Sequence, residues 1–284
     1  MALLQGTREG YLFRGGLVDE LAALLSLRLQ ARFYVLSTSL RGVMSHDLPL
    51  KTEFAPLRMP AGPYRDAVVF SEADRNLCTH LLPFLDQIRS VPPKYHLEVA
   101  IAANHYARAL REIGVDEEMV FVRLVSAIEK MAAPQAIPED PLNELDLENL
   151  IRVSDLGAAQ LQELRTMFRT RRTKARFIAF LQEYSAGFFH TERREPSHTQ
   201  VTPENLMSVA AAVYDARSGY LHSGDPMYLS RPIPQFPNWH MAPSEGMTWQ
   251  DRSFKAAQKL PRADFFHRLV RHCLLARIGA LTAG

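Results

Sequence analysis

Residues 202–224 read TPENLMSVAAAVYDARSGYLHSG, and their reading decides the fold. Thr202-Pro203-Glu204 combines a capping hydroxyl, a proline suited to a first helical position and an acid for the first turn, so a helix is expected to start there. Leu206, Val209, Ala210, Val213 and Tyr214 recur at helical spacing, and Ser223-Gly224 supplies the stop. Towards its end this helix carries a permanent cation, Arg217, and a titratable imidazole, His222, with Ser218 and the two tyrosines Tyr214 and Tyr220 beside them. Guanidinium forks onto phosphate oxygens and imidazole changes charge near neutral pH, the pairing that phosphodiester chemistry needs. Five positions on a regular helix turn the second side chain about 140° from the first. Convergence on one phosphate therefore requires His222 to leave the helix, which Gly219 and Gly224 would permit, or a second copy of the chain to supply the partner group.

Working outward, the chain divides into a mixed first quarter and a helical remainder. Residues 17–31 place Leu17, Leu21, Leu24, Leu25 and Leu29 at helical spacing, and residues 32–38 are rich in strand-favouring side chains. Between Arg41 and Pro63 no period holds and prolines punctuate the chain. From there helices are expected over 72–90, from Pro92-Pro93 to a stop at Gly114, from a cap at Asp116 through Met131, and over 147–152, 155–170 and 174–188. Residues 134–146 read as an acidic loop. Residues 223–261 form a long excursion, and a last apolar, basic helix runs from Ala263 to about Leu281. The fold class is mainly α: a helical domain over 72–284 preceded by a small α/β segment over 1–71.

The 284 residues are 47% hydrophobic and 23% charged, the balance of an ordinary globular protein. The formal charge of +2 does not by itself call for nucleic acid, yet all but six of the 33 basic residues are Arg. Cys78 and Cys273 are isolated, which excludes a disulfide framework or a cysteine zinc site. The opening MALLQGTREG lacks the pattern of a signal peptide, and no apolar run approaches the ~18 residues of a membrane span, so a soluble cytoplasmic protein is expected. No metal-ligand cluster and no cofactor motif is apparent.

Arg-x-x-x-x-His alone is a weak pattern. It occurs at Arg41/His46, Arg75/His80, Arg193/His198, Arg217/His222 and Arg262/His267. Only Arg217/His222 joins a capped helix to an immediate Ser-Gly exit. The bland alternative pairs Arg217 with an acid, Asp215, Asp225 or Glu129, and makes His222 a cation at a helix C-terminus. Arg165, Arg169, Arg171, Arg172, Lys174 and Arg176 form a basic run suited to a nucleic-acid backbone or to a solvated turn between helices. Lys259, Arg262, Arg268, Arg271 and Arg277 do the same around the last helix.

Tyr214-x-x-Arg217-Ser218-x-x-x-His222-x-Gly224 resembles the Apea-like branch of the HEPN domains. Ala100–Ile113 and Glu117–Met131, with Glu129 in Ser126-Ala127-Ile128-Glu129, resemble that branch's paired upstream helices. Arg176-Phe177-x-x-Phe180-Leu181 and Leu260-Pro261-x-x-x-Phe265-Phe266-x-x-Leu269-Val270 extend the likeness over roughly 72–281. The resemblance implies a helical bundle, a two-fold homodimer with facing Arg–His motifs, and a metal-independent endoribonuclease, in phage defence or in a toxin system with a regulatory protein partner. Arg217 and His222 would be catalytic, with Ser218, Tyr220, Tyr214 and Glu129 in support, RNA or a nucleotide as ligand and no cofactor. Ser218 departs from the Asn, Asp or His most typical of the motif, which leaves a non-catalytic binding or dimerisation module as the alternative.

Overall fold

The computed structural model describes residues 17–33, 54–55, 77–133, 157–191, 200–227, 248–249, 252–253 and 260–283. Among them the chain is mainly helical. In order come α1 (Leu17–Leu29), strand β1 (Arg32–Phe33), strand β2 (Phe54–Ala55), α2 (Leu77–Ser90), a 3₁₀ turn (Pro93–Tyr95), α3 (His96–Glu112), α4 (Glu117–Ala132), α5 (Ala158–Tyr184), a single turn α6 (Phe188–Thr191), α7 (Leu206–Ser223), strand β3 (Thr248–Trp249), strand β4 (Arg252–Ser253) and α8 (Ala263–Ala283). The strands form two antiparallel pairs, β1 with β2 and β3 with β4.

The centre is the α3–α4 hairpin. Asp116 caps α4 by accepting the Met119 N–H at 3.0 Å, and Gly114, at φ +80°, makes the left-handed turn that any side chain would strain. Between the two helices alternate small and large side chains: Ala103, Tyr106, Ala107 and Leu110 of α3 against Val120, Leu124, Ala127 and Ile128 of α4, all buried. Helix α8 packs on both, with Phe266 stacked on Phe121 at 5.3 Å between ring centres. Helices α5 and α7 pack on α4 and on each other, and α5 also packs on α8.

The first element belongs to the same body. Ala23, Leu24 and Leu27 of α1 join the main core against α3. Three arginines tie the segment to the rest of the fold through backbone carbonyls. Arg271 of α8 donates to Leu27 O at 2.8 Å and to Arg28 O, Arg111 donates to Phe33 O at 2.7 Å, and Arg32 returns the contact to Ile113 O at 2.6 Å. The last carbonyls of a helix have no partner within it, so Arg271 completes the C-terminus of α1. Burial pulls its own pKa down, the direction in which desolvation acts on a cation. The boundary expected at residue 71 lies outside the described residues.

Several expectations are revised. The helices expected over 155–170 and 174–188 are one continuous helix, α5, because the basic run between them contains no glycine or proline, and Arg and Lys are good helix formers. The chain instead turns at Ser185–Gly187, where Gly187 has φ +83°. The helix expected from Thr202 starts at Leu206. Asn205, not Thr202, organises the entry, accepting the Thr202 N–H at 2.8 Å and donating to Gln200 O at 2.9 Å, which keeps residues 203–205 in a turn. The strand expected over 32–38 is described only at Arg32–Phe33. The segment 134–152 and most of 223–261 lie outside the described residues. No described helix is long and apolar enough to cross a membrane, and Cys273 is a buried free thiol whose pKa burial drives upward.

Replacing Arg271 with Ala is expected to leave the α3–α4 core intact while loosening α1, at a cost of about 2 kcal/mol for the lost charged hydrogen bonds. Urea denaturation measures the cost, and faster hydrogen exchange in 17–33 than in 96–132 locates it.

Candidate functional site

Helix α7 lies against α4 and α5 with Val209, Ala210, Val213 and Tyr214 inward. Tyr214 and Arg217 stand three residues apart, so they share a face. Glu129 of α4 meets both. One carboxylate oxygen accepts the Tyr214 hydroxyl at 3.1 Å and the other accepts Arg217 Nη2 at 2.9 Å. The ion pair is largely shielded, with side-chain exposures of 16% for Arg217 and 18% for Glu129, so it is not the freely screened kind that contributes almost nothing. The guanidinium also lies 5.9 Å from the Tyr214 ring centre. Of the three acids that could hold Arg217, then, it is Glu129. Asp215 is taken by Lys174 of α5, whose Nζ lies 2.7 Å from both of its oxygens.

The Tyr214 phenol is buried, its ring 5.5 Å from that of Phe177. Burial first, and the Glu129 carboxylate second, push its pKa up to about 12, with Arg217 and a hydrogen bond involving Thr173 opposing them. Tyr214 therefore stays a neutral donor and offers no face for a base to stack on. Tyr220 is half-buried against the core.

His222 is elsewhere. Helix α7 stays helical through Ser223, so the imidazole does not leave it, and it is exposed in the last turn. Gly224 then takes φ +70° as the left-handed cap, and the Asp225 N–H returns to Gly219 O at 3.4 Å. Gly219 does not break the helix, and a Cβ there would make only ordinary contact with Asp225 Oδ2, at 3.5 Å. Arg217 and His222 thus project about 140° apart, one into the seam with α4 and the other into solvent. One arginine atom remains unfulfilled, since Arg217 Nε is buried without a hydrogen-bond partner. Ser218 lies between them, half-exposed.

The basic residues expected to grip nucleic acid fare differently. Those around the last helix are structural: Arg262 is buried against Asp264 at 3.1 Å, Arg268 donates to Asp264 O at 3.1 Å, Arg271 closes α1, and Arg277 donates to Tyr184 OH at 2.9 Å. Lys259 lies outside the described residues. On α5, Lys174 is paired as above and Arg172 is half-buried, while the side chains of Arg165, Arg169 and Arg171 lie outside the described residues. Of the rival Arg–His pairs, Arg262/His267 is buried, with Tyr106 OH 3.4 Å from His267 Nδ1, and the other three reach outside the described residues. No group of three potential metal ligands occurs among the described residues.

Comparison with family models, with curated proteins and with solved structures finds no match.

Replacing Glu129 with Gln removes the charge beneath Tyr214, and the phenol pKa is expected to fall from about 12 while burial keeps it above the ordinary tyrosine value. An ultraviolet pH titration of tyrosinate formation measures this. Replacement with Ala strands Arg217 and is expected to cost about 3 kcal/mol, read by thermal or urea unfolding.

Proposed function

We propose that the chain is a HEPN-type endoribonuclease in which Arg217 of one copy and His222 of another act on a single RNA phosphodiester without a metal. The observation that carries this reading is the uninterrupted α7. It holds Arg217 beside Glu129 and leaves His222 exposed on a different face. One protomer does not bring the two together, so the reading requires a two-fold pairing of α7 ends.

The roles follow from the groups. His222 as general base takes the proton of a ribose 2′-hydroxyl as its oxygen attacks phosphorus, and as general acid gives one to the departing 5′-oxygen. A 2′,3′-cyclic phosphate and a 5′-hydroxyl result. Arg217 neutralises the charge that gathers on the phosphorane oxygens. Its contact with Glu129 uses Nη2, and a guanidinium has further N–H groups to present. Glu129 and Tyr214 position the cation and take no part in proton transfer. Such an enzyme suits phage defence or a toxin system, where a regulatory partner would restrain it.

A second reading has an observation of its own. The Arg217–Glu129 ion pair already satisfies much of the guanidinium, as in a non-catalytic module that binds RNA or a nucleotide, or that dimerises.

Purified protein is expected to cut RNA in EDTA, leaving cyclic-phosphate ends, and Arg217→Ala or His222→Ala to lower the rate by about 100-fold or more while the fold persists in circular dichroism. Mixing the two inactive variants should restore activity, because one heterodimer site keeps both groups. Intact RNA with salt-sensitive binding selects the non-catalytic reading, and activity without restoration on mixing rejects the shared site.

A further inference from the structure

A second cluster of basic groups sits on the α3–α4 hairpin. His105 and Arg108 stand three residues apart on α3, and Arg123 and Lys130 stand seven apart on α4, which returns each pair to one side of its helix. Counting from the turn at 113–116, His105 and Arg123 lie at nearly the same level, and the span from Arg108 to Lys130 is about 14 Å at 1.5 Å per residue. His105 and Arg123 are half-buried, and His105 Nδ1, Arg123 Nε and Glu98 Oε2 are buried without partners. Arg108 and Lys130 are exposed. The neighbouring charges felt at His105 are Arg123, Arg108 and Lys130, every one positive. The acids on the same side of α3, Glu98 and Glu112, stand seven residues to either side of His105, near the two ends of the row. Arginine and lysine gathered around an uncharged imidazole repel each other unless an anion joins them.

We propose that this row, Arg108–His105–Arg123–Lys130, is a binding site for the phosphates of single-stranded RNA, separate from the Arg217–His222 pair. Two arginine forks and a lysine spread over that length suit a continuous strand better than one small anion. Burial, aided by the three cations, lowers the His105 pKa to about 4, so near pH 7 the ring is neutral and can turn an N–H towards a phosphate without adding to the repulsion. Ser126, one turn below Lys130 on α4, gives its hydroxyl to Val122 O and stays out of the row. The inference rests on RNA being the ligand, and it concerns holding the strand, not cutting it.

The test uses the full chain and a labelled single-stranded RNA with 2′-O-methyl riboses, which binds but cannot be cleaved. The variant R108Q/R123Q/K130Q is expected to bind at least about tenfold more weakly and to flatten the dependence of log affinity on log salt by about 2, the contribution of three single-strand phosphate contacts. With cleavable RNA, KM should rise with kcat retained. Arg108→Glu, a single exposed change that the fold tolerates, should weaken binding in the same direction. Unchanged affinity and salt slope in both variants overturn the inference and leave the proposed nuclease standing. Weakened binding in a protein that never cuts RNA sinks the nuclease reading and keeps this site. Wild-type protein with no affinity for the methylated strand overturns both.

Discussion

One carboxylate fixes the orientation of the helix that carries the motif. Glu129 takes hydrogen bonds from Tyr214 and Arg217, three positions apart on α7, so α7 cannot roll against α4 without losing both in a largely shielded seam. With that rotation set, helical geometry decides where every other motif side chain goes. His222 is carried to the solvent side, Asp215 swings towards Lys174 of α5, and the left-handed Gly224 ends the helix before the imidazole can be redirected. Motif residues neighbouring in sequence are thereby sorted into a buried half and an open half.

The hydroxyl of Tyr214 gives this arrangement something another aromatic would not. Phenylalanine would keep the packing on Phe177 but leave one carboxylate oxygen of Glu129 without its donor. A neutral donor is needed there, and burial together with the nearby carboxylate guarantees that the phenol remains one. Charge on α7 is balanced in two places: inside by Glu129 and outside by the Lys174–Asp215 pair, which is exposed enough to contribute only ~0–1 kcal/mol. The inner pair sets position, and the outer one adds little beyond tethering α5 to α7.

What could be read from the amino acids alone follows from the range of each interaction. Local signals worked: the Asp116 cap, the Gly114 turn, the Gly224 stop and the apolar faces of α3, α4 and α8 depend on residues a few positions apart. Glu129 was among three acids able to hold Arg217, yet choosing among them required knowing which face of α4 meets α7, a contact 88 residues apart in sequence. The basic run in α5 looked like a break because its charges suggested a solvated turn, whereas helix propensity simply carried the chain through it. The arginines of α8 looked like a patch for nucleic acid. Arg262 and Arg268 bond to Asp264 at the start of the same helix, whereas Arg271 and Arg277 find their acceptors in α1 and α5, which no local pattern announces. The row on the α3–α4 hairpin was hidden for the same reason, since its members sit on two helices that run in opposite directions.

The strap from Arg271 to the end of α1 has a bearing on how the protein is made. Its acceptors, Leu27 and Arg28, leave the ribosome some 244 residues before the donor does. Until α8 has emerged those two carbonyls stay open, although α3 and Arg111 already hold the segment. A chain cut short before residue 271 would keep its hairpin core and the seat of α1 on α3, yet leave the end of α1 unclosed.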